Sequence, residues 1–180
     1  MLKGIDPLIS PDLLLVLAQM GHGDTIVIAD ANFPAASVGS RTVHGRPLRM
    51  DCSAPRAVQA VLSLLPIDDF EPGSVVTMQV VGDAAATPEA VAEAAPMFAA
   101  EGQPMTAVDR FAFYDLAGAA FAILHTTETR LYANFIIRKG GWSSASPWSR
   151  CGLPPEPLEN QSQCARSRSI ALAVAAISAA

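Results

Sequence analysis

The sequence predicts an α/β domain in which a central, largely buried sheet is flanked by helices. Two observations support this fold class. Short β-branched apolar runs alternate with amphipathic segments along most of the chain, as expected when strands and helices alternate. Apolar residues make up 51% of the 180 residues and charged residues only 16%, so the chain can bury a sizeable core. No internal repeat is evident.

The elements in the first half of the chain follow from capping residues, apolar periodicity and Pro or Gly stops. Ser10 is a suitable N-cap before Pro11, and Gly21 is expected to stop the helix they begin. The predicted elements are a helix over 11–20, a strand over 25–29, a loop over 32–40, a weak strand over 41–44 and a helix over 53–65.

The second half continues the alternation. Pro72-Gly73 and Gly82-Asp83 bound an apolar run that is typical of a strand. The predicted elements are a strand over 74–81, a helix over 87–102, strands over 105–108 and 121–126 with a helix over 110–119 between them, and a last strand over 131–138.

Charge and cysteine content narrow the function classes. The chain has 12 basic and 17 acidic side chains, a net charge of −5, whereas a protein that binds phosphate backbones needs an excess of basic residues. Its three Cys show no CxxC spacing, so neither a disulfide framework nor a zinc site is predicted. The N-terminus makes a poor signal peptide, and no transmembrane segment is proposed. We expect a cytoplasmic protein without nucleic-acid or membrane partners.

The composition changes after Gly140. Residues 141–180 are rich in Ser and Pro and show no helical or strand period before Ile170. We therefore predict a domain over 1–140 and a weakly ordered tail of unknown role over 141–180. Truncation after Gly140 is expected to preserve the activity of the domain.

His22 is the first candidate for proton transfer. It lies between Gly21 and Gly23, which let the backbone turn tightly and leave the imidazole uncrowded. Imidazole is the side chain that exchanges protons near neutral pH. The alternative is that Gly21 is only a helix C-cap and that His22 is an ordinary surface residue.

Asp30 follows a predicted buried strand, and such strand ends are where α/β sheets gather polar groups around ligands. Asn32 is a weaker candidate for the same role in binding a ligand. For both, the alternative is a cap or an Asx turn before Pro34. His22, Asp24 and Asp30 could be imagined as metal ligands, but no second His lies nearby, so no metal is predicted.

One predicted helix combines a cation with aromatic side chains. Arg110 and Tyr114 stand at i and i+4, so both can face one site. Phe111 and Phe113 are expected in the core. The alternative for Arg110 is a solvated ion pair with a neighbouring Asp.

Two further polar pairs are candidates. Tyr132 and Asn134 begin the last predicted strand, where alternation sends both to one side and lets a phenol and an amide meet sugar hydroxyls. The alternative is an ordinary aromatic strand start. Asp68 and Asp69 are expected in an exposed acidic turn unless one is drawn inward. With no P-loop, GxGxxG, GxSxG or HExxH motif present, these residues favour proton transfer on a small hydroxylated ligand.

Five short stretches stand in a characteristic order over the first 140 residues. They are Leu8-Ile9-Ser10-Pro11, Met20-Gly21-His22-Gly23-Asp24, Asp30-Ala31-Asn32-Phe33-Pro34, Arg110-Phe111-Ala112-Phe113-Tyr114 and Asn134-Phe135-Ile136-Ile137-Arg138-Lys139-Gly140. Together they closely resemble the L-fucose mutarotase and D-ribose pyranase family. The Arg-Phe-Ala-Phe-Tyr stretch resembles the fucose branch more than the ribose branch.

The resemblance implies the fold, assembly and site of that family. The expected assembly is a ring-like homo-oligomer, commonly a decamer, with each site completed across a subunit boundary. The position matching His22 is the proton donor, and those matching Asp68 and Tyr114 have acid/base roles. The positions implied to hold the sugar match Asp30, Arg110, Tyr132, Ala133 and Asn134.

We therefore expect a mutarotase that opens and closes the pyranose ring of L-fucose or a related aldose by acid/base catalysis, without a cofactor. Two alternatives stay open: a D-ribose pyranase, which interconverts pyranose and furanose forms, and a non-catalytic monosaccharide-binding module. Ala133 and Thr127 replace glycines that are usual in the family. The added methyl of Ala133 is expected to crowd the sugar or to alter the backbone there.

Overall fold

The computed structural model describes residues 2–141, which fold around a central sheet. The elements in this range are α1 (Pro11–Gln19), β1 (Thr25–Ala29), α2 (Ala35–Gly39), β2 (Leu48–Met50), α3 (Ala54–Leu62), β3 (Val75–Met78), α4 (Glu89–Ala100), β4 (Met105–Val108), α5 (Arg110–Gly118), β5 (Ala122–Thr126) and β6 (Phe135–Arg138). The predicted α/β class is confirmed. Apart from Gly141, the predicted tail lies outside the described residues.

The strand order of the sheet is β2-β5-β1-β6-β3-β4. Of these strands only β6 runs against its neighbours: β2, β5 and β1 are parallel, β3 and β4 are parallel, and β6 pairs antiparallel with both β1 and β3. Five strands therefore end at one edge of the sheet, which we call the carboxyl edge, where β6 begins. The opposite, amino edge holds the starts of those five strands and the end of β6.

Helices cover both faces of the sheet, because consecutive strand residues point to opposite faces. Ile26 and Ile28 of β1 belong to a buried cluster with apolar residues of α1, α3 and α4. Val27 and Ala29 belong to a second cluster with residues of α2 and α5. The result is a three-layer arrangement that leaves the two edges of the sheet for polar groups.

Side-chain caps fix where three helices begin. Ser10 Oγ accepts from the Leu13 N–H at 3.2 Å in α1, and Ser53 Oγ accepts from the Arg56 N–H at 3.4 Å in α3. Asp109 accepts from the first turn of α5. The cap predicted at Ser10 is thus confirmed, and Ser53 caps α3 in the same way, because each satisfies an N–H that the helix leaves free. No helix within residues 2–141 is long and apolar enough to cross a bilayer.

The region between β1 and β3 differs from the prediction in three places. Residues 41–44 form turns instead of a strand, and the strand lies later, at β2. The predicted loop over 32–40 contains the short helix α2. Helix α3 ends at Leu62 and not at residue 65: Ser63 is its C-cap, and the Leu64 N–H donates to the Val61 carbonyl, three residues back.

The last strand is also shorter than predicted, since β6 begins at Phe135 and not at residue 131. Tyr132 has a φ of 60°, in the left-handed region that a strand does not use. The prediction that Tyr132 and Asn134 share one side of a strand was therefore wrong. Their side chains are placed by a turn and by hydrogen bonds across the sheet.

Candidate active site

The residues singled out in the sequence divide between the two edges of the sheet. His22 precedes β1 and Asp68 precedes β3, at the amino edge. Asp30 follows β1 and Asn134 precedes β6, at the carboxyl edge. The five residues of β1 alone span about 16 Å. His22 and Asp30 of one chain therefore cannot contact the same small ligand or share a metal ion.

At the amino edge the structure pairs His22 with Asp68. The distance from His22 Nε2 to Asp68 Oδ1 is 3.2 Å. The His22 side chain is 54% exposed, whereas that of Asp68 is 3% exposed. Asp68 is thus the member of the acidic pair that is drawn inward, and Asp69 is exposed. The Phe70 ring and the imidazole meet in a T-shaped contact, with centroids 5.7 Å apart.

The surroundings of Asp68 fix its charge. Burial alone raises the pKa of its carboxyl, but the Phe70 N–H, the His22 hydrogen bond and the Arg138 guanidinium outweigh this and hold the pKa below its ordinary value. An ionised carboxylate can only accept hydrogen bonds. His22 therefore carries its hydrogen on Nε2 in this contact, which leaves Nδ1 as the ring nitrogen that can exchange a proton with a ligand.

The loop that carries His22 is held in one conformation by its neighbours. Gly23 has a φ of 86°, which explains a glycine at this position. The Gly21 N–H donates to the Asp24 carboxylate at 2.6 Å. Gly21 itself does not adopt the left-handed conformation of a C-cap glycine, and Met20, in extended conformation, ends α1.

At the carboxyl edge Asp30 and Asn134 form a reciprocal, buried pair. The Asp30 N–H donates to Asn134 Oδ1 at 3.0 Å, and Asn134 Nδ2 donates to Asp30 Oδ2 at 2.8 Å. The Asn32 N–H donates to Asp30 Oδ1, so the Asx turn considered as an alternative is present as well. Burial raises the pKa of Asp30 against these hydrogen bonds. The pair ties the end of β1 to the turn before β6.

That turn places Tyr132 beside a cavity. The Val81 N–H donates to the Tyr132 hydroxyl at 3.3 Å. Residues 79–84 after β3 and 109–111 at the start of α5 line a cavity of about 420 Å³. Ala133 is fully buried and belongs to the core cluster under α1, α3 and α4. Its methyl therefore packs into the core, and the unusual backbone angle falls on Tyr132.

Helix α5 brings Arg110 and Phe111 to the same cavity. The Arg110 guanidinium lies 4.9 Å from the centre of the Phe111 ring, and it forms no ion pair among residues 2–141. Phe111 is 67% exposed, so its prediction as a core residue was wrong, whereas Phe113 is fully buried as predicted. Tyr114 is half-buried, and its ring meets the Phe33 ring edge-on at 5.4 Å.

Sequence reasoning missed the ion network that anchors the loop after β5. Glu128, with a 4% exposed side chain, accepts from Arg130 Nε at 3.0 Å and from Arg130 Nη2 at 2.8 Å. It also accepts from the Ala54 N–H at the start of α3, and Arg130 reaches Glu93 of α4 at 2.8 Å. The only signal was the pair of opposite charges two residues apart, which is common on solvated surfaces.

Glu128 makes stability depend on pH in a defined range. The Arg130 hydrogen bonds lower its pKa to about 2 against the opposing effect of burial. Its contribution is therefore complete above the ordinary pKa of Glu and is lost as the pH falls from about 4.5 towards 2. We expect Glu128→Gln to lower the free energy of unfolding at pH 7 by about 3 kcal/mol.

The measurement is urea unfolding between pH 2 and pH 7 at a fixed protein concentration. Glu128→Gln should flatten the loss of stability below pH 4.5. The control is Glu101→Gln, since Glu101 is exposed and forms no ion pair among the described residues. An unchanged acid profile in Glu128→Gln would contradict the assigned role.

Comparison with known proteins gives the family. A family model described as the RbsD / FucU transport protein family matches residues 3–141. The chain belongs to this family. The resemblance seen in the five sequence stretches is thereby confirmed.

The RbsD / FucU chain has curated relatives with a named activity. A protein from Danio rerio named fucose mutarotase is 41% identical over 147 residues, covering 77% of this chain and 93% of that protein. The fucose mutarotase of Bos taurus is 40% identical over 146 residues, with the same coverage. The solved structure of fucose mutarotase from Streptococcus pneumoniae in complex with L-fucose is 39% identical, has a TM-score of 0.71 and covers 79% of this chain and all of that one.

Proposed function

We propose that this protein is a sugar mutarotase that interconverts the α and β anomers of L-fucose or a related aldose. The observation that carries the proposal is a half-exposed His22 whose Nε2 is held by the buried carboxylate of Asp68. Relatives named fucose mutarotase at 40–41% identity, and a similar structure solved with L-fucose, support the choice of sugar.

The proposed reaction needs two proton movements and no electron donor or acceptor. A proton passes from His22 Nδ1 to the ring oxygen while the anomeric hydroxyl loses its proton, and the bond between the anomeric carbon and the ring oxygen breaks. The anomeric carbon becomes an aldehyde carbonyl. The hydroxyl formed from the ring oxygen then adds to the opposite face of this carbonyl, the two protons return, and the other anomer forms.

Asp68 has an orienting role in this proposal. Its carboxylate holds the imidazole by Nε2 and stabilises the protonated ring before the proton leaves. At the carboxyl edge Tyr114 is the more accessible proton carrier, because both oxygens of Asp30 already accept hydrogen bonds. We assign the uptake of the anomeric-hydroxyl proton to the Tyr114 hydroxyl, which releases its own proton to water as it accepts. Arg110, Tyr132 and the Asp30–Asn134 pair hold the sugar beside the cavity.

The separation of the two edges supports a site shared between subunits. His22 and Asp30 lie at opposite ends of β1, which is far longer than a monosaccharide. A single sugar can reach both only if the amino edge of one subunit meets the carboxyl edge of the next. Such head-to-tail contacts repeat around a closed ring. We therefore propose a homo-oligomeric ring, with a decamer as the expected number.

The exposed aromatic residues at both edges agree with this contact. Phe70 at the amino edge is 73% exposed, and Phe111 at the carboxyl edge is 67% exposed. Large exposed apolar side chains beside a site often mark protein contacts.

The proposed compartment is the cytoplasm, where the free thiol of Cys52 would stay reduced.

Neighbouring carboxylates allow a matched test of the role of Asp68. We expect Asp68→Asn to lower the rate about 10²-fold, because the amide cannot supply the charge that stabilises the protonated imidazole. Asp69→Asn should keep the rate, since Asp69 is exposed. Both rates are measured as anomer exchange by NMR. Equal effects of the two substitutions would show that His22 does not depend on Asp68.

The proposed function is tested on the full chain by magnetisation-transfer NMR of L-fucose, galactose and ribose. Exchange between α and β pyranose signals above the buffer rate is the expected result. Exchange between pyranose and furanose signals of ribose would indicate the pyranase alternative. Saturable sugar binding with exchange at the buffer rate would indicate the binding-module alternative, and in that case the mutarotase proposal fails.

A further inference from the structure

Lys139 and Gly140, which follow β6, have no role in the mechanism so far, yet the stretch Arg138-Lys139-Gly140 contacts both the loop that carries His22 and the segment that carries Asp68. The Gly23 N–H donates to the Lys139 carbonyl at 2.9 Å, and the Lys139 N–H donates to the Asp24 carbonyl at 2.8 Å. The two residues after His22 are therefore paired with the backbone of Lys139.

The Lys139 side chain holds the same loop from its other end. Its Nζ donates to the Leu17 carbonyl at 2.9 Å and to the Met20 carbonyl at 2.5 Å. The last carbonyls of a helix lack partners within the helix and carry partial negative charge. Helix α1 has no basic residue in its own last turn, so the ammonium of Lys139 supplies the missing donor and charge.

Gly140 lies against the backbone segment that carries Asp68, the other member of the pair. The Gly140 N–H donates to the Pro66 carbonyl at 2.8 Å, and the Asp68 N–H donates to the Arg138 carbonyl at 3.1 Å. A Cβ at position 140 would lie 2.5 Å from the carbonyl oxygen of Ile67. That contact is with backbone, so a larger residue would push the chain before Asp68 away.

We propose that Lys139 and Gly140 are positioning residues for proton transfer. Lys139 fixes the loop of His22, and Gly140 allows the close backbone approach that fixes Asp68, so one dipeptide sets the 3.2 Å distance between the pair. The inference rests on the proposed function for its link to rate. Lys139 does not hold the sugar in this scheme, because its Nζ donates to two carbonyls of the same chain.

The first experiment uses the two lysines of the chain. Lys139→Met keeps an unbranched side chain but removes the donors and the charge. We expect kcat for anomer exchange to fall about 10–100-fold per folded molecule, while sugar affinity measured by calorimetry stays within about twofold. Lys139→Arg should restore much of the rate, because a guanidinium can also donate to two carbonyls. Lys3→Met is the matched control and should behave as wild type, since Lys3 is exposed.

The second experiment uses adjacent glycines. Gly140→Ala should lower kcat as strongly as Lys139→Met in the fraction that remains folded, which circular dichroism measures. Gly141→Ala is the control, since its nearest contact would be the His22 ring at 3.9 Å, an ordinary van der Waals distance. Equal rates for the two glycine variants would overturn the role of Gly140.

A spectroscopic measurement separates this inference from the proposed function. In wild type the rings of His22 and Phe70 are close enough for a nuclear Overhauser contact. Lys139→Met should weaken that contact, and Lys3→Met should not. If wild type catalyses no exchange, the proposed function fails while this contact still tests the positioning. An unchanged contact, or a kcat in Lys139→Met that falls only with the folded fraction, would overturn the inference.

Discussion

Replacing His22 by Ala is expected to reduce the catalysed exchange of fucose anomers by about 10²–10⁴-fold, the usual contribution of one positioned acid/base group. The loss should appear in kcat, because the residues proposed to hold the sugar lie at the other edge of the sheet. The fold should persist, since the His22 side chain is 54% exposed and lies in a loop. Magnetisation transfer gives the rate, and circular dichroism gives the folded fraction.

The exposure of His22 offers a sharper control. Free imidazole can reach the space left by the missing ring and take up the proton transfer. We expect added imidazole to raise the exchange rate of His22→Ala above the rate that the same imidazole solution gives without protein. Wild-type activity in His22→Ala would exclude His22 as the proton donor.

The largest qualitative effect is expected from mixing two inactive variants. His22→Ala damages the amino edge, and the double variant Arg110→Met with Tyr114→Phe damages the carboxyl edge. When each variant assembles alone, its anomer exchange rate should be close to the rate in buffer. Assembled together in equal amounts, they should recover about a quarter of the wild-type rate, because that share of subunit boundaries joins two intact edges.

The matched control for this experiment mixes His22→Ala with Asp68→Asn. Both substitutions damage the amino edge, so no boundary in the mixture has an intact one and no recovery above the more active parent is expected. If the first mixture also shows no recovery although its subunits have co-assembled, each site lies within a single subunit. The proposal of sites shared between subunits would then be wrong.

Local signals in the sequence predicted much of the fold. The Ser10 cap and the apolar period placed α1 to within one residue, and the β-branched run after Thr25 gave β1 with its observed bounds. Longer-range effects explain the errors. The β2 segment is only three residues long and is set by pairing with β5, which no local pattern reveals. The turn at Tyr132 is held by contacts to Val81 and, through Asn134, to Asp30.

The candidate site was less accessible from residue patterns alone. Strand-end reasoning found Asp30, and the glycines flagged His22, but nothing local predicted that Asp68 would lie against the imidazole. The family resemblance implied an acid/base role for Asp68 but no contact with His22. Lys139 belongs to one of the five stretches that resemble the family, but the sequence did not predict its contact with the end of α1. That contact depends on the position of β6 in the sheet. Contacts between side chains that are distant in sequence depend on the fold, so they could be found only in the structure.

The order of strands has a consequence for how the chain is made. Strand β6 lies between β1 and β3, although it is the last strand of the described chain. Until it is synthesised, β1 and β3 each keep an open edge that can pair with another molecule. Folding must then close long loops to seat β6, which slows it. Asn134 precedes this strand at the carboxyl edge, and Lys139 follows it at the amino edge. The insertion of β6 therefore completes both parts of the site late in folding, and a nascent chain without β6 can be neither fully folded nor active.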